Sequence, residues 1–227
     1  KKDLTNAEIR LKNKEFTYTP KPGGGAEEFT AEIDSVTLYA GTAKEETVPV
    51  TAYTVTGETK GTDANIYTIT ITANENSDYM GSATVTWSIS PCELTYVIKC
   101  SSKVYDGKKD AQIESIEFFN GDEKVALTEG DDYTVSVEYD SENVGTNLGN
   151  NPVNVKATIT LKSDAKNNYS IAGGRASGHI TPAPIANIAG YSDYTQEVCY
   201  NNTYKRLITA TSFGAPDRNG YVVVSDL

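Results

Sequence analysis

In SATVTWSIS, residues 82–90, Ala83, Val85, Trp87 and Ile89 alternate with serine and threonine. A period of two puts one face of such a segment on a core and the other in water, the pattern of a half-buried strand. VNVKATITL, residues 153–161, alternates in the same way. Runs rich in Thr, Val, Ile and Tyr are short, and clusters of Gly, Asn and Asp punctuate them at the spacing expected of a β-sandwich. No segment carries the 3.6-residue period of an amphipathic helix. LTNAEIRLKNKEF, 4–16, has the length for one or two helical turns, but it aligns with the strand-like LTYVIKCSSKVY, 94–105, and is read as strand. The expected fold class is all-β.

The strands recur. IYTITITANENSDYMGSATVTWSISPCEL, 66–94, lies over VKATITLKSDAKNNYSIAGGRASGHITPAPI, 155–185. Ile69 and Ile71 then fall on Ile159 and Leu161, Tyr79 on Tyr169, and both segments end in an Ile-x-Pro step, Ile89-Ser90-Pro91 and Ile180-Thr181-Pro182. Upstream, AYTV at 52–55 matches DYTV at 132–135, and FTYTPKP, 16–22, takes the place of KVYDGKK, 103–109. Self-similarity of this kind marks tandem modules. Two β-sandwich repeats are expected, at 1–91 and 92–184, with 185–227 a partial or capping third β module that lacks the ending of the other two. The second repeat carries an insertion at 140–151, DSENVGTNLGNN, whose composition is that of a loop. Two prolines in TPAPI, 181–185, favour a stiff connection, so the modules are expected end to end.

Composition narrows the function classes. Of 227 residues, 31 are acidic and 20 basic, a formal charge of −11 that repels nucleic-acid phosphates and anionic membrane surfaces. Neither partner is expected, nor is membrane insertion within these residues, since no run approaches the ~20 apolar residues of a spanning helix. Cys92, Cys100 and Cys199 are an odd set without zinc-site spacing. Cys92 and Cys100 lie on one extended segment, too far apart to bond to each other.

Candidate chemistry is sparse. His179 is the sole histidine and abuts the proline-rich junction. The acidic pairs Glu27-Glu28, Glu45-Glu46 and Asp131-Asp132 point to opposite faces of a strand rather than across a cleft. Asp131, Asp132 and Asp122 lack the spacing of an EF-hand and are read as turn residues. KPGGG, 21–25, lacks the Lys-Ser or Lys-Thr and the helix of a phosphate loop, and reads as a hairpin tip. No catalytic residue, metal ligand or cofactor is expected. Tyr105-Asp106-Gly107 follows a strand, and Asp-Gly suits a tight turn with positive φ at glycine, so the three residues are expected to form a structural corner, with Tyr105 facing inward and Tyr18 in the equivalent place. Aromatics supply the alternative. There are 15 tyrosines, and Tyr191, Tyr194, Tyr200 and Tyr204 cluster near the end as a candidate ligand face for stacking on sugar rings.

The second repeat, with KVYDGK near its start, GDDYTVSVEYDSENVG in its middle and KNNYSI followed by HITPAPI, resembles the YDG-type repeats of large bacterial surface proteins. The first, with NSDYMGSATVTWSIS, resembles the related MBG-type repeats. Both belong with bacterial immunoglobulin-like modules. The resemblance implies extracellular, immunoglobulin-like all-β modules in tandem within adhesin-like proteins at the bacterial surface or secreted, and it transfers no catalytic residue. Two functions are therefore expected to compete: a structural stalk whose partners are neighbouring domains of a larger surface protein, and a module binding a glycan or host protein.

Overall fold

The computed structural model describes residues 1–22, 24–146, 149–185, 196–197, 206–209 and 221–224. Strands dominate, and helix among these residues is limited to one six-residue α-turn and one three-residue 3-10 turn, so the fold is all-β.

Eleven strands lie in residues 1–91, the segment read above as the first repeat: β1 (Lys2–Asp3), β2 (Glu8–Leu11), β3 (Glu15–Thr17), β4 (Phe29–Thr30), β5 (Ile33–Leu38), β6 (Glu46–Thr47), β7 (Tyr53–Gly57), β8 (Lys60–Gly61), β9 (Asn65–Ala73), β10 (Tyr79–Met80) and β11 (Ser82–Ser90). A four-stranded sheet runs β3-β11-β9-β7 and a three-stranded sheet β2-β5-β6, while β1 pairs with β10 and β4 with β8. Alternation decides which residues meet. Ile69, Ile71, Ala83, Trp87 and Ile89 turn inward and are buried, while Thr68, Thr72, Thr84 and Thr86 stay exposed. Ile71 and Ala83 from one sheet share a core with Ile9, Val36 and Leu38 from the other. At one end of this repeat the Trp87 ring stacks on Tyr67 at 4.4 Å and meets Phe16 edge-on at 5.7 Å. Its indole N–H donates to the Glu58 carbonyl at 2.7 Å, the partner a buried tryptophan needs. LTNAEIRLKNKEF opens with a turn closed by the Ala7 N–H on the Leu4 carbonyl and then supplies β2 and most of β3, so the strand expectation holds for part of it.

The segment read as the second repeat, 92–184, holds β12 (Cys92–Cys100), β13 (Lys103–Val104), β14 (Ile113–Asn120), β15 (Glu123–Val125), β16 (Tyr133–Tyr139), β17 (Val153–Leu161), α1 (Ser163–Asn168), β18 (Tyr169–Gly178) and β19 (Ile180–Thr181). Its main sheet runs β15-β14-β12-β18-β17-β16, with β13-β19 as a separate pair. Along β12, Cys92, Leu94, Ile98 and Cys100 are buried while Glu93, Thr95, Val97 and Lys99 are exposed. Both cysteines are free, near opposite ends of that single strand; Cys199 lies outside the described residues. Residues 140–151 form no strand among those described. The helix α1 is a departure from the sequence reading. A single turn of SDAKNN is too short to show periodicity, and it forms where Ala165 and Asn168 are drawn into the interior.

The repeats share a closure. In the first, β3 lies parallel to β11 with Phe16 opposite Ile89 and Thr17 opposite Ser90, and the Tyr18 N–H donates to the Ser90 carbonyl at 2.8 Å. In the second, β13 lies parallel to β19 with Lys103 opposite Ile180 and Val104 opposite Thr181, and the Tyr105 N–H donates to the Thr181 carbonyl at 2.8 Å. Tyr18 and Tyr105 are structurally equivalent, and so are the two Ile-x-Pro endings.

The chain divides into two compact units. One comprises Lys1–Thr95, Phe118–Thr134 and Thr160–Ala172; the other comprises Tyr96–Glu117, Val135–Ile159 and the described residues from Gly173 on. Within the second unit Ile98, Cys100, Tyr139, Val155 and Ile180 form the core. Beyond it, β20 (Pro184–Ile185) pairs with β21 (Gln196–Glu197), and β22 (Arg206–Thr209) with β23 (Tyr221–Val224). No helix among the described residues is long and apolar enough to cross a membrane.

Gly178 leaves no room for a side chain in that core: a Cβ there would lie 2.4 Å from the Tyr139 hydroxyl oxygen and 2.9 Å from the Cys100 Cβ. Gly178→Ala is expected to lower unfolding free energy by about 1–3 kcal/mol in urea denaturation. In a Tyr139→Phe background, where the nearest atom is gone, the same substitution should cost less.

Candidate functional site

The corner after β12 is where sequence and chemistry converge. Lys103 and Val104 are drawn against β19 by the Lys103 N–H, which donates to the His179 carbonyl at 2.9 Å, and by the Thr181 hydroxyl, which donates to the Lys103 carbonyl at 3.2 Å. The chain must then reverse, and Asp106 and Gly107 provide the means. An Asp106 carboxylate oxygen accepts the Lys108 N–H at 3.0 Å, and Gly107 sits at φ +73°, a left-handed conformation that only glycine adopts without strain. Tyr105 packs against the core of this unit.

Lys103 organises the turn it precedes. Its ammonium lies 2.8 Å from Asp106 Oδ1 and 3.1 Å from Asp110 Oδ1, and it donates to the Lys108 carbonyl at 3.0 Å. With its side chain only 16% exposed, the cation is far better shielded than an ordinary surface lysine. Burial works against its charge, but the hydrogen bonds it donates to Asp106 and then Asp110 outweigh it, holding the ammonium pKa above its usual value. The Asp106 carboxyl is held below its usual range by the Lys103 hydrogen bond first and the Lys108 N–H second. Each group is thus fixed in its charged form. A lysine kept protonated lacks the lone pair of a nucleophile, and a carboxylate of lowered pKa is a weak base at neutral pH. The chemistry of this cluster is that of a clasp.

Beneath the corner Tyr139 is fully buried, and its hydroxyl reaches the carbonyls of Ser101 at 3.2 Å and His179 at 3.3 Å. It thereby spans the ends of β12 and β18. The Tyr139 N–H donates to the Lys109 carbonyl at 2.8 Å, and Asp110 bridges Glu138, so the segment following the corner is laid along β16. A cleft of about 230 Å³ remains, lined by Ser101, Lys103, Asp106, Asp110, Gln112 and Tyr139 among others.

Of the other residues singled out from the sequence, His179 meets this cluster only through its backbone carbonyl, and its Nδ1 is 3.1 Å from the Gly149 carbonyl. Asp132 accepts the Thr128 N–H at 2.7 Å in the turn before β16, and among the described residues no group of three or more His, Cys, Asp or Glu side chains converges as metal ligands would. Pro20 and Ala26 bridge across the KPGGG tip. Tyr191, Tyr194, Tyr200 and Tyr204 lie outside the described residues. Lys103 and Tyr139 were not singled out in sequence; the spacing of Lys103, Asp106 and Asp110 was the available signal for the first.

Residues 90–177 match the family described as the YDG domain. They are a YDG domain. The resemblance drawn from KVYDGK and KNNYSI is met for these residues, and the matched span holds the corner, Tyr139 and most of β18, with the closing Ile180 and Thr181 of β19 just past it. No curated protein and no solved structure matches the chain.

Two outcomes test the corner of the YDG domain. An added Cβ at Gly107 meets only the Tyr105 hydroxyl, at 3.9 Å, so Gly107→Ala should cost about 1–2 kcal/mol from the backbone alone, and Gly107→Val more. Asp106 has a folded pKa below its unfolded one. Its contribution is therefore complete above the unfolded value and lost as pH falls through the folded value. The stability gap between the parent and Asp106→Asn, which keeps the acceptor for Lys108 but not the charge, should be widest near neutrality and close below about pH 4.

Proposed function

We propose that this chain is a non-catalytic structural segment, in which immunoglobulin-like β-sandwich modules strung end to end act as a spacer within an adhesin-like protein of the bacterial surface. The observation that carries this reading is the parallel pairing of β3 with β11 and of β13 with β19. Tension entering the YDG domain at Pro91 runs down β12, flanked by β14 and β18, and into β13; tension leaving at Pro182 comes from β19. Parallel neighbours pulled from opposite ends are loaded along their length, so the ladder bonds resist together instead of parting one at a time. A stalk requires that property, whereas a catalyst or a transient binder does not. Further support comes from the YDG match, from the strand grammar that the first repeat shares with it, and from the −11 charge, which keeps acidic neighbours apart. Flanking domains of a larger extracellular protein are the partners this reading names.

Single-molecule stretching from the chain ends tests it. The YDG domain should give a resolved unfolding peak, and Tyr105→Pro, which removes the N–H donated to Thr181, should lower the force of that peak. Equal forces for parent and variant, or saturable binding of a defined glycan on an array, would count against a spacer.

A further inference from the structure

Asn168 is the buried polar side chain among the described residues, 5% exposed at the end of α1. Its partners lie in the first repeat. The Ala64 N–H donates to Asn168 Oδ1 at 2.7 Å, and Asn168 Nδ2 donates to Asp63 Oδ1 at 3.0 Å. The socket is itself braced, because the Tyr67 hydroxyl donates to the Asp63 carbonyl at 2.6 Å. The next residue joins in: the Tyr169 ring meets Tyr18 edge-on at 5.1 Å, and burial first and the Tyr18 hydroxyl second hold the Tyr169 pKa well above its ordinary value. Tyr18 is the corner tyrosine of the first repeat, so the joint uses one repeat's closure as the seat for the next repeat's hairpin. All of these residues fall within one compact unit, and only Pro91 separates β11 from β12.

We infer that Asn168 and the Asp63–Ala64 turn form a keyed joint that specifies which repeat follows which; this rests on reading the repeats as serial elements of a stalk. The key lies in hydrogen-bond polarity. The socket presents one donor, the Ala64 N–H, and one acceptor, the Asp63 carboxylate. Only a side chain offering both an acceptor and a donor satisfies the two, which an amide does and a carboxylate does not. At the aligned place the first repeat has Asp78, preceding Tyr79 as Asn168 precedes Tyr169. An aspartate there would set a buried carboxylate against that of the exposed Asp63, with no donor for the oxygen facing it, and that burial is costly. A repeat ending its hairpin in Asp-Tyr thus requires a socket with an amide in place of Asp63. Repeats would sort by this pair as coiled-coil helices sort by one buried amide.

Exchanging the polarity tests the joint in the full chain. In Asn168→Asp, hydrogen exchange at the Ala64 amide should accelerate by about tenfold or more, because a buried carboxylate that has lost the donor to Asp63 and is repelled by it leaves the socket. Asp63→Asn alone should exchange near the parental rate, because its side-chain carbonyl still accepts from Asn168. The double variant Asp63→Asn/Asn168→Asp should return to within about threefold of the parent, since the amide introduced in the socket donates to the carboxylate introduced on α1 and the Ala64 N–H still has its acceptor. A double variant that stays unprotected, or that does not fold, overturns the inference, as does unaltered exchange in Asn168→Asp. The exchange readout needs no applied force, so a weak unfolding peak would refute the stalk while leaving the joint standing, and the reverse holds equally.

Discussion

The hydrogen bonds between the strand that turns the corner and the strand that ends the repeat constrain everything else in each repeat. They include the Tyr18 N–H to Ser90 and the Ser88 N–H to Lys14 in one, and the Lys103 and Tyr105 N–H groups to His179 and Thr181 in the other. Buried or half-buried backbone groups require partners, and a parallel pair two or three residues long supplies them only if the chain reverses immediately afterwards. Reversal in the second repeat needs the left-handed Gly107 and the Asp106 carboxylate. Holding β19 beside β13 needs the Tyr139 hydroxyl between Ser101 and His179, and seating that ring needs a glycine at 178.

The two repeats solve one position differently. Phe16 and Lys103 occupy equivalent places, opposite Ile89 and Ile180. Phe16 joins an aromatic cluster with Phe29 and Trp87, at ring separations of 4.9 and 5.7 Å. Lys103 instead gathers Asp106 and Asp110 around a shielded ammonium. The aromatic solution depends on burial and is indifferent to pH. The ionic solution works in a window bounded below by the acidic titration of Asp106 and above by that of Lys103, whose raised pKa keeps its contribution until the pH climbs through the folded value. Tyr18-Thr19-Pro20 stands where Tyr105-Asp106-Gly107 stands in the second repeat, and it lacks the carboxylate that an ionic corner requires.

Period-two alternation made β11 and β17 legible in sequence, because alternation follows directly from which face is buried. The likeness of the two segments and their Ile-x-Pro endings was visible because the same residue types return in the same order. The roles of Lys103, Tyr139 and Asn168 were not. Lys103 sits in a run of ordinary surface residues, and only folding brings Asp106 and Asp110 to its ammonium. Tyr139 looks like any strand tyrosine until the Ser101 and His179 carbonyls are seen above it. Asn168 lies in KNNY, a polar stretch with no sign of burial, and its partners are more than a hundred residues away.

Hydrogen exchange at the Tyr18 and Tyr105 amides tests the closure most directly. If closure holds each repeat together, both amides open only when the repeat unfolds, and their protection matches that of the central β9 and β12 amides. Exchange of either amide at the rate of an exposed loop, while β9 and β12 remain protected, would show the parallel pairs to be peripheral and would contradict the account.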